Sequence, residues 1–398
     1  MNRFSYVKKN YPGVLILGSV SFFTDISSEM LYPITPIFLT SILGSSMLSV
    51  GIIEGVAEGL ASLLKTYSGF WSDQINKRKP FIFVGYLLSA LSRPLIGLST
   101  TALHVLGARS LDRVGKGLRS APRDALIADF VGPQDLGLAF GWHRSMDTMG
   151  AVIGPLLAIF FVGYFSDLRE AYYWAIIPGL ISVLIIFWIK EPEKVTSVTS
   201  KKFDFNWHNY SKEYKNFIIG WTVFCLTNSS DAFLILKMKD AGLDFVAIIL
   251  IYAFYNLVYA LLSPSLGHLS DKIGARKVLI IGLIIFTFVY MGFALSDSVF
   301  MFILLFFLYG SYMAATDGVS KSYAVRLVKP ENKASSLGIL GTATGVSQIL
   351  ASIVTGFLWD RHGSTVALLF TCVGSFCFIL ILLFLIKDQR RYDSSNMQ

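Results

Sequence analysis

Apolar stretches long enough to cross a bilayer recur along the whole chain, separated by short polar loops. With about 20 apolar residues per span, the pattern predicts twelve helices, at 12–40, 47–71, 79–99, 102–128, 137–165, 170–190, 216–238, 244–267, 277–296, 298–324, 333–359 and 364–386. One polar segment is longer than the rest, from Glu191 to Lys215, and it carries Lys194, Lys201, Lys202, Lys212 and Lys215. It divides the chain into a six-helix half (1–190), a linker (191–215) and a second six-helix half with a short tail (216–398). Trp207 places part of the linker at a membrane interface.

The loop after the second apolar run reads GFWSDQINKRKP, from Gly69 to Pro80, and GHLSDKIGARKV returns after the eighth, from Gly267 to Val278. Glycine, aspartate and basic positions repeat at one offset of 198 in a chain of 398 residues. A period of half the chain implies two similar bundles. Both loops also resemble the G-x-x-x-D-x-x-x-[RK]-x-[RK] signature of the major facilitator superfamily. The resemblance covers nearly the whole chain and assigns Gly69, Asp73, Arg78, Lys79, Gly267, Asp271, Arg276 and Lys277 to gating loops. It implies an all-α integral membrane fold, with twelve transmembrane helices in two pseudo-symmetric six-helix bundles and a midplane cavity between them. Asn76 stands where the family usually has glycine.

Composition agrees. The chain is 54% hydrophobic and 15% charged, whereas soluble domains carry about 25% charged residues. A net charge of +8 raises nucleic acid as a partner, but the bases sit in short loops between apolar runs, the positive-inside pattern of cytoplasmic loops. The expectation is a multi-pass protein of the cytoplasmic membrane with both termini cytoplasmic, monomeric, with no nucleic-acid partner. Val14 to Leu39 is too long for a signal peptide and holds Asp25 and Glu29, so it reads as the first span. Cys225, Cys372 and Cys377 lie in apolar runs without metal-ligand spacing.

The predicted spans of the N-terminal half bury Asp25, Glu29, Glu54, Glu58, Asp112 and Asp147, together with Lys65, Arg93, Arg109, Arg113, Lys116 and Arg144. Each would cost roughly 2.5–3.5 kcal/mol at a lipid-facing helix centre, so they must face one another or water. At 100° per residue, Asp25, Glu29 and Tyr32 share one face, Glu54, Glu58 and Lys65 another, and Arg109, Asp112, Arg113 and Lys116 form a stripe extended by Arg123. Carboxylates crowded in a low dielectric resist ionising together. The expected proton-coupling group is therefore Asp25, Glu29, Glu54, Glu58, Arg109, Asp112 and Arg113, with Asp25 or Glu58 as carrier. Structural ion pairs are the alternative.

Gly51, Gly55 and Gly59 point to close helix packing. Arg109, Asp112, Gly115 and Gly117 resemble the superfamily's transmembrane arginine motif. The resemblance links that arginine to proton transfer and leaves the role between Arg109 and Arg113. Gly150, Gly154 and Pro155 resemble part of its exchanger motif, with Pro155 as a helix kink.

The second half is quieter. Thr227-Asn228-Ser229-Ser230-Asp231 on the seventh helix echoes the Asp25–Glu29 stretch. Tyr252, Tyr255, Asn256 and Tyr259 line the eighth helix, and Gln348 lies within the eleventh. With Lys65 and Arg93, these residues form the expected cavity for an organic, partly apolar solute.

The predicted function is secondary active transport of a small molecule by alternating access, coupled to protons, with export as the first reading. Proton-coupled uptake of an anionic metabolite, suited to Lys65, Arg93 and Arg109, is the second. The four carboxylates make metal transport a remote third. G-x-x-x-x-G-K-[ST] does not occur, which argues against ATP as energy source. The five histidines are scattered and no H-E-x-x-H occurs, so an enzyme is not expected, nor a cofactor or a resident metal. A receptor would need a sizeable soluble domain.

Overall fold

A computed structural model describes residues 10–75, 77–131, 136–192, 207, 210–328 and 333–386. The described helices are α1 (Pro12–Ile42), α2 (Met47–Ile75), α3 (Lys79–Gly97), α4 (Ala102–Asp129), α5 (Leu136–Phe165) and α6 (Leu168–Trp188). After the linker come α7, in two pieces (α7a, Lys212–Cys225; α7b, Ala232–Asp240), α8 (Phe245–Ile273), α9 (Ala275–Leu295) and α10 (Val299–Arg326). The last helical stretch, Lys333–Phe384, is broken at Gly363 (φ 83°) into α11 (333–362) and α12 (364–384). Most of the predicted linker and the end of the tail lie outside the described residues.

Two interruptions of regular helix have sequence causes. In α1 the helix loosens over residues 30–33, where Pro33 lacks a donor and constrains the residue before it. In α7 the break spans 226–231. The expectation of one continuous seventh helix is corrected here: Thr227, Asn228, Ser229, Ser230 and Asp231 offer the backbone competing side-chain hydrogen bonds, and the segment unwinds. At membrane depth such backbone is tolerated where it lines a cavity.

Small residues let helices within a half meet backbone to backbone. A side chain on Gly85 of α3 would strike the Gly115 carbonyl of α4, and one on Gly115 would strike that of Gly85. Gly150 and Gly154 seat α5 on the Phe22 and Ile26 carbonyls of α1. The second half is filled instead by rings. Phe224, Phe286 and Tyr312 pack with centroids 4.7–6.5 Å apart, in the range where aromatic pairs attract. Large apolar side chains also cover the outside, as on α9 with Ile284, Phe288 and Leu295. In water such a surface would be an aggregation hazard, and in hydrocarbon it is solvated.

The two halves touch chiefly at the end away from the basic loops. Gly51, Gly55 and Gly59 of α2 lie against Ser352 and Ile349 of α11, and Gly356 of α11 lies against the Met47 carbonyl. The predicted close packing of these glycines is thus a seam between halves. Asp360 closes it, its two carboxylate oxygens accepting the Met47 and Leu48 backbone N–H groups at 2.9 Å each. Lys239 of α7b adds a bond to Thr40 at 2.7 Å.

Candidate functional site

Between the halves lies a cavity of about 550 Å³. Of the residues expected in the proton-coupling and substrate groups, all but Glu54 line it: Asp25, Glu29, Glu58, Lys65, Arg93, Arg109, Asp112, Arg113, Asn228, Asp231, Tyr252, Tyr255, Asn256, Tyr259 and Gln348. Glu54 is 1% exposed and stands behind the wall, where Arg109 Nη2 donates to both its oxygens at 2.6 and 2.7 Å. A second space of about 380 Å³ lies nearer the basic loops, lined by Arg144, Tyr259, Ser263, Gly267 and Asp317, and shares Arg144, Tyr259 and Asp317 with the first.

The charged wall is mostly self-satisfied. Arg113 reaches Glu58 at 3.0 Å and Asp112 at 3.6 Å. Arg123 bonds Asp124 at 2.9 Å, and Arg119 donates to Ser89 at 2.5 Å while lying over the Tyr86 ring. These pairs satisfy one demand of the sequence, that intramembrane charges face one another.

Asp25 is placed differently. It lines the cavity together with Asp147 of α5. Two carboxylates crowded at low dielectric resist ionising together. The glycines of α5 produce this meeting, because Gly150 lies one turn beyond Asp147 and abuts the Asp25 Cβ. Asp147 also faces Arg144 at 3.4 Å. Sequence reading listed Asp147 among the buried acids without assigning it a role.

Elsewhere in the lining, tyrosines surround two further carboxylates. Tyr309 donates to Asp231 at 2.5 Å and Tyr252 donates to Glu29 at 2.9 Å. Tyr32 stacks on Tyr252 (centroids 5.4 Å), Tyr252 touches Tyr255 (5.7 Å) and Tyr255 touches Tyr309 (5.2 Å). Nearer the basic loops, Tyr259 receives a bond from Arg144 at 2.8 Å and donates to Asp317 at 2.9 Å. Lys321 holds the other Asp317 oxygen at 2.7 Å. Sequence reading missed Tyr309 and Asp317. The i, i+4 series Tyr309, Met313, Asp317, Lys321 carried the signal, as did the repeat offset, which places Asp317 opposite Arg119.

The loop residues act within their own halves. Arg78 donates its backbone N–H to Glu191 and its side chain to Ser72 at 2.6 Å, and Lys79 reaches the Ile189 carbonyl at 2.8 Å. Gly69 abuts Ala121 of α4. In the second half, Arg276 donates to the Leu382 carbonyl at 2.7 Å. Gly274 turns the chain at φ 99° and Gly267 faces open space, while Lys277 opens α9 with its backbone N–H on the Gly274 carbonyl. Asn76 and the side chains of Asp73 and Asp271 lie outside the described residues. Pro155 stands inside α5 as expected.

Comparison with known proteins follows the same lines. The family model described as Major Facilitator Superfamily matches residues 17–236 and 217–396. An uncharacterized MFS-type transporter of Methanocaldococcus jannaschii is 38% identical over 355 residues, which is 87% of this chain and 88% of that one. The multidrug resistance protein MdtH of Photorhabdus laumondii subsp. laumondii is 30% identical over 135 residues, 34% of this chain and 33% of the relative. Among solved structures, the nucleoside transporter NupG superposes with a TM-score of 0.75 at 14% identity, covering 95% of this chain and all of that one. A bacterial homologue of the human lysosomal transporter Spinster, in an inward-facing and unoccupied conformation, gives 0.75 at 16% identity over 96% and 98% of the two chains. At such identities the superpositions speak for the fold.

Proposed function

This chain belongs to the major facilitator superfamily, and we propose that it moves a small organic solute across the cytoplasmic membrane by proton-coupled alternating access. The observation that carries the reading is that two acids, Asp25 and Asp147, line one cavity between the halves, brought close where Gly150 abuts the Asp25 Cβ, with the glycine seam closing one end. Such a pair holds a proton while the cavity faces one side and releases it after the halves rock. With the basic loops and both termini cytoplasmic, the state described is inward-facing. The glycine seam and Asp360 then form its outer seal.

Asp25 is the proton carrier in this scheme, and Glu58, committed to Arg113 at 3.0 Å, is held ionised. The direction we propose is export in exchange for protons. Support comes from the partial exchanger motif, whose Gly150 and Gly154 bring Asp147 to Asp25, and from the stretch of similarity to MdtH. Uptake of an anionic metabolite with protons is the second reading, favoured by the cavity cation Arg93.

The test uses purified protein in liposomes and a metabolite and drug panel, with and without a pH gradient. The Asp25→Asn protein is expected to lose pH-driven accumulation and keep counterflow exchange, because rocking survives. Asp231→Asn is expected to weaken substrate binding and keep the pH midpoint. Intact pH-driven accumulation in Asp25→Asn would sink the assignment.

A further inference from the structure

Among the arginines of the cavity one is left without a hydrogen-bond partner, and two of its carboxylates are left without a salt bridge, among the described residues. Five of its arginines have partners already named: Arg109, Arg113, Arg119, Arg123 and Arg144. The sixth is Arg93 of α3. It is 2% exposed, lines the cavity, and neither Nη1 nor Nη2 has a hydrogen-bond partner among the described residues. A buried guanidinium is a planar fork of donors that fits an oxyanion two bonds at a time. Left unpaired at low dielectric it is costly.

The tyrosine-rich part of the lining holds the converse. Asp231 and Glu29 accept from Tyr309 and Tyr252, yet neither has a salt-bridge partner among the described residues. Around them stand the rings of Tyr32, Tyr252, Tyr255 and Tyr309, packed on one another, and tyrosine rings attract organic cations. A carboxylate ringed by tyrosines suits an ammonium group as the Arg93 fork suits a carboxylate or phosphate.

We propose that the transported solute is zwitterionic, its oxyanion docked on Arg93 and its ammonium group between Asp231, Glu29 and the tyrosines. This rests on the transport reading and sharpens it. A molecule with both charges satisfies both groups at once, whereas a simple acid or a simple amine leaves one of them bare. It also enters and leaves without changing the cavity's net charge, so the Asp25–Asp147 proton is the charge that each cycle moves.

The experiment measures equilibrium binding to purified protein in detergent, with no gradient, by ligand-induced thermal stabilisation. The probes are two matched sets: 4-(aminomethyl)benzoate against 4-methylbenzoate and 4-methylbenzylamine, and 6-aminohexanoate against hexanoate and hexylamine. At least one zwitterion is expected to bind ten times more tightly than its acid and its amine. Arg93→Gln is expected to bring the zwitterion to the level of the amine, and Asp231→Asn to the level of the acid. Arg93→Lys keeps the charge without the fork, folds where the glutamine variant fails, and should lose about half of the effect on a logarithmic scale. Acid or amine binding as tightly as the zwitterion, no zwitterion binding at tens of millimolar, or unaltered preference in Arg93→Lys would each overturn the proposal. Because binding is read without a gradient, failure of proton-driven transport would leave this result standing, and the reverse also holds.

Discussion

Removing the Asp360 carboxylate tests whether the outer seam is a latch. Both oxygens cap the first turn of α2 across the seam, each at 2.9 Å from a backbone N–H. Such a cap contributes about 1 kcal/mol, within a range of roughly 0.5–2. The negative charge at a helix N-terminus adds roughly 0.3–1. Asp360 is exposed, so solvent screening keeps the sum near the low end, about 1 kcal/mol. This bond exists only while the halves meet at that end, so its loss shifts the resting equilibrium about fivefold towards outer opening. The reporter is a cysteine at Ser352, which is 2% exposed in the seam beside Gly51. Cys225, Cys372 and Cys377 are replaced by alanine so that it is the one thiol. An impermeant maleimide added outside proteoliposomes labels it at a rate proportional to the fraction open. Asp360→Ala should raise that rate about fivefold, with Asp360→Asn between it and the parent. An unchanged or slower rate in both variants would refute the latch.

Glu54→Gln leaves Arg109 buried without its counter-charge and should lower stability by about 3–5 kcal/mol. Thermal unfolding in detergent measures this, and Glu54→Gln with Arg109→Gln should recover much of the loss; an unchanged single variant would make the pair incidental. Gly363→Ala meets open space at φ 83°, so its cost is backbone strain alone, about 1–2 kcal/mol. A slightly lower melting temperature with normal transport is expected, and lost transport would show that the α11–α12 turn takes part in gating.

The fold was legible because hydropathy and the repeat are one-dimensional signals. Among the described residues, nine stretches are long and apolar enough to span a membrane on composition alone. α4 falls short because its arginine stripe dilutes it, α7 because Asn228 to Asp231 interrupt it, and α11 and α12 run together across Gly363. Periodicity also placed Asp25, Glu29, Glu58 and Arg113 on the faces that line the cavity. What it could not supply is which helix each face meets. Asp25 was expected in one proton-coupling group with Glu58, yet Gly150 and Gly154 draw α5 onto α1 and bring Asp147 to it. Likewise Glu54 sits behind Arg109 rather than in the cavity. Contacts between residues 55 and 122 positions apart decide this, and local pattern carries no record of them.

The glycine seam has a consequence for how the resting orientation is set. Gly51, Gly55 and Gly59 present bare backbone to α11, so parting them unhooks few interdigitated side chains and the barrier to rocking stays low. At each of the three positions a single methyl group would act as a shim. Gly51→Ala would wedge against the Ser352 carbonyl, and Gly59→Ala against the more yielding end of the Ile349 side chain. On the proposed alternating-access reading, one-codon changes along this ridge form a graded dial that shifts the resting orientation without touching a residue of the cavity.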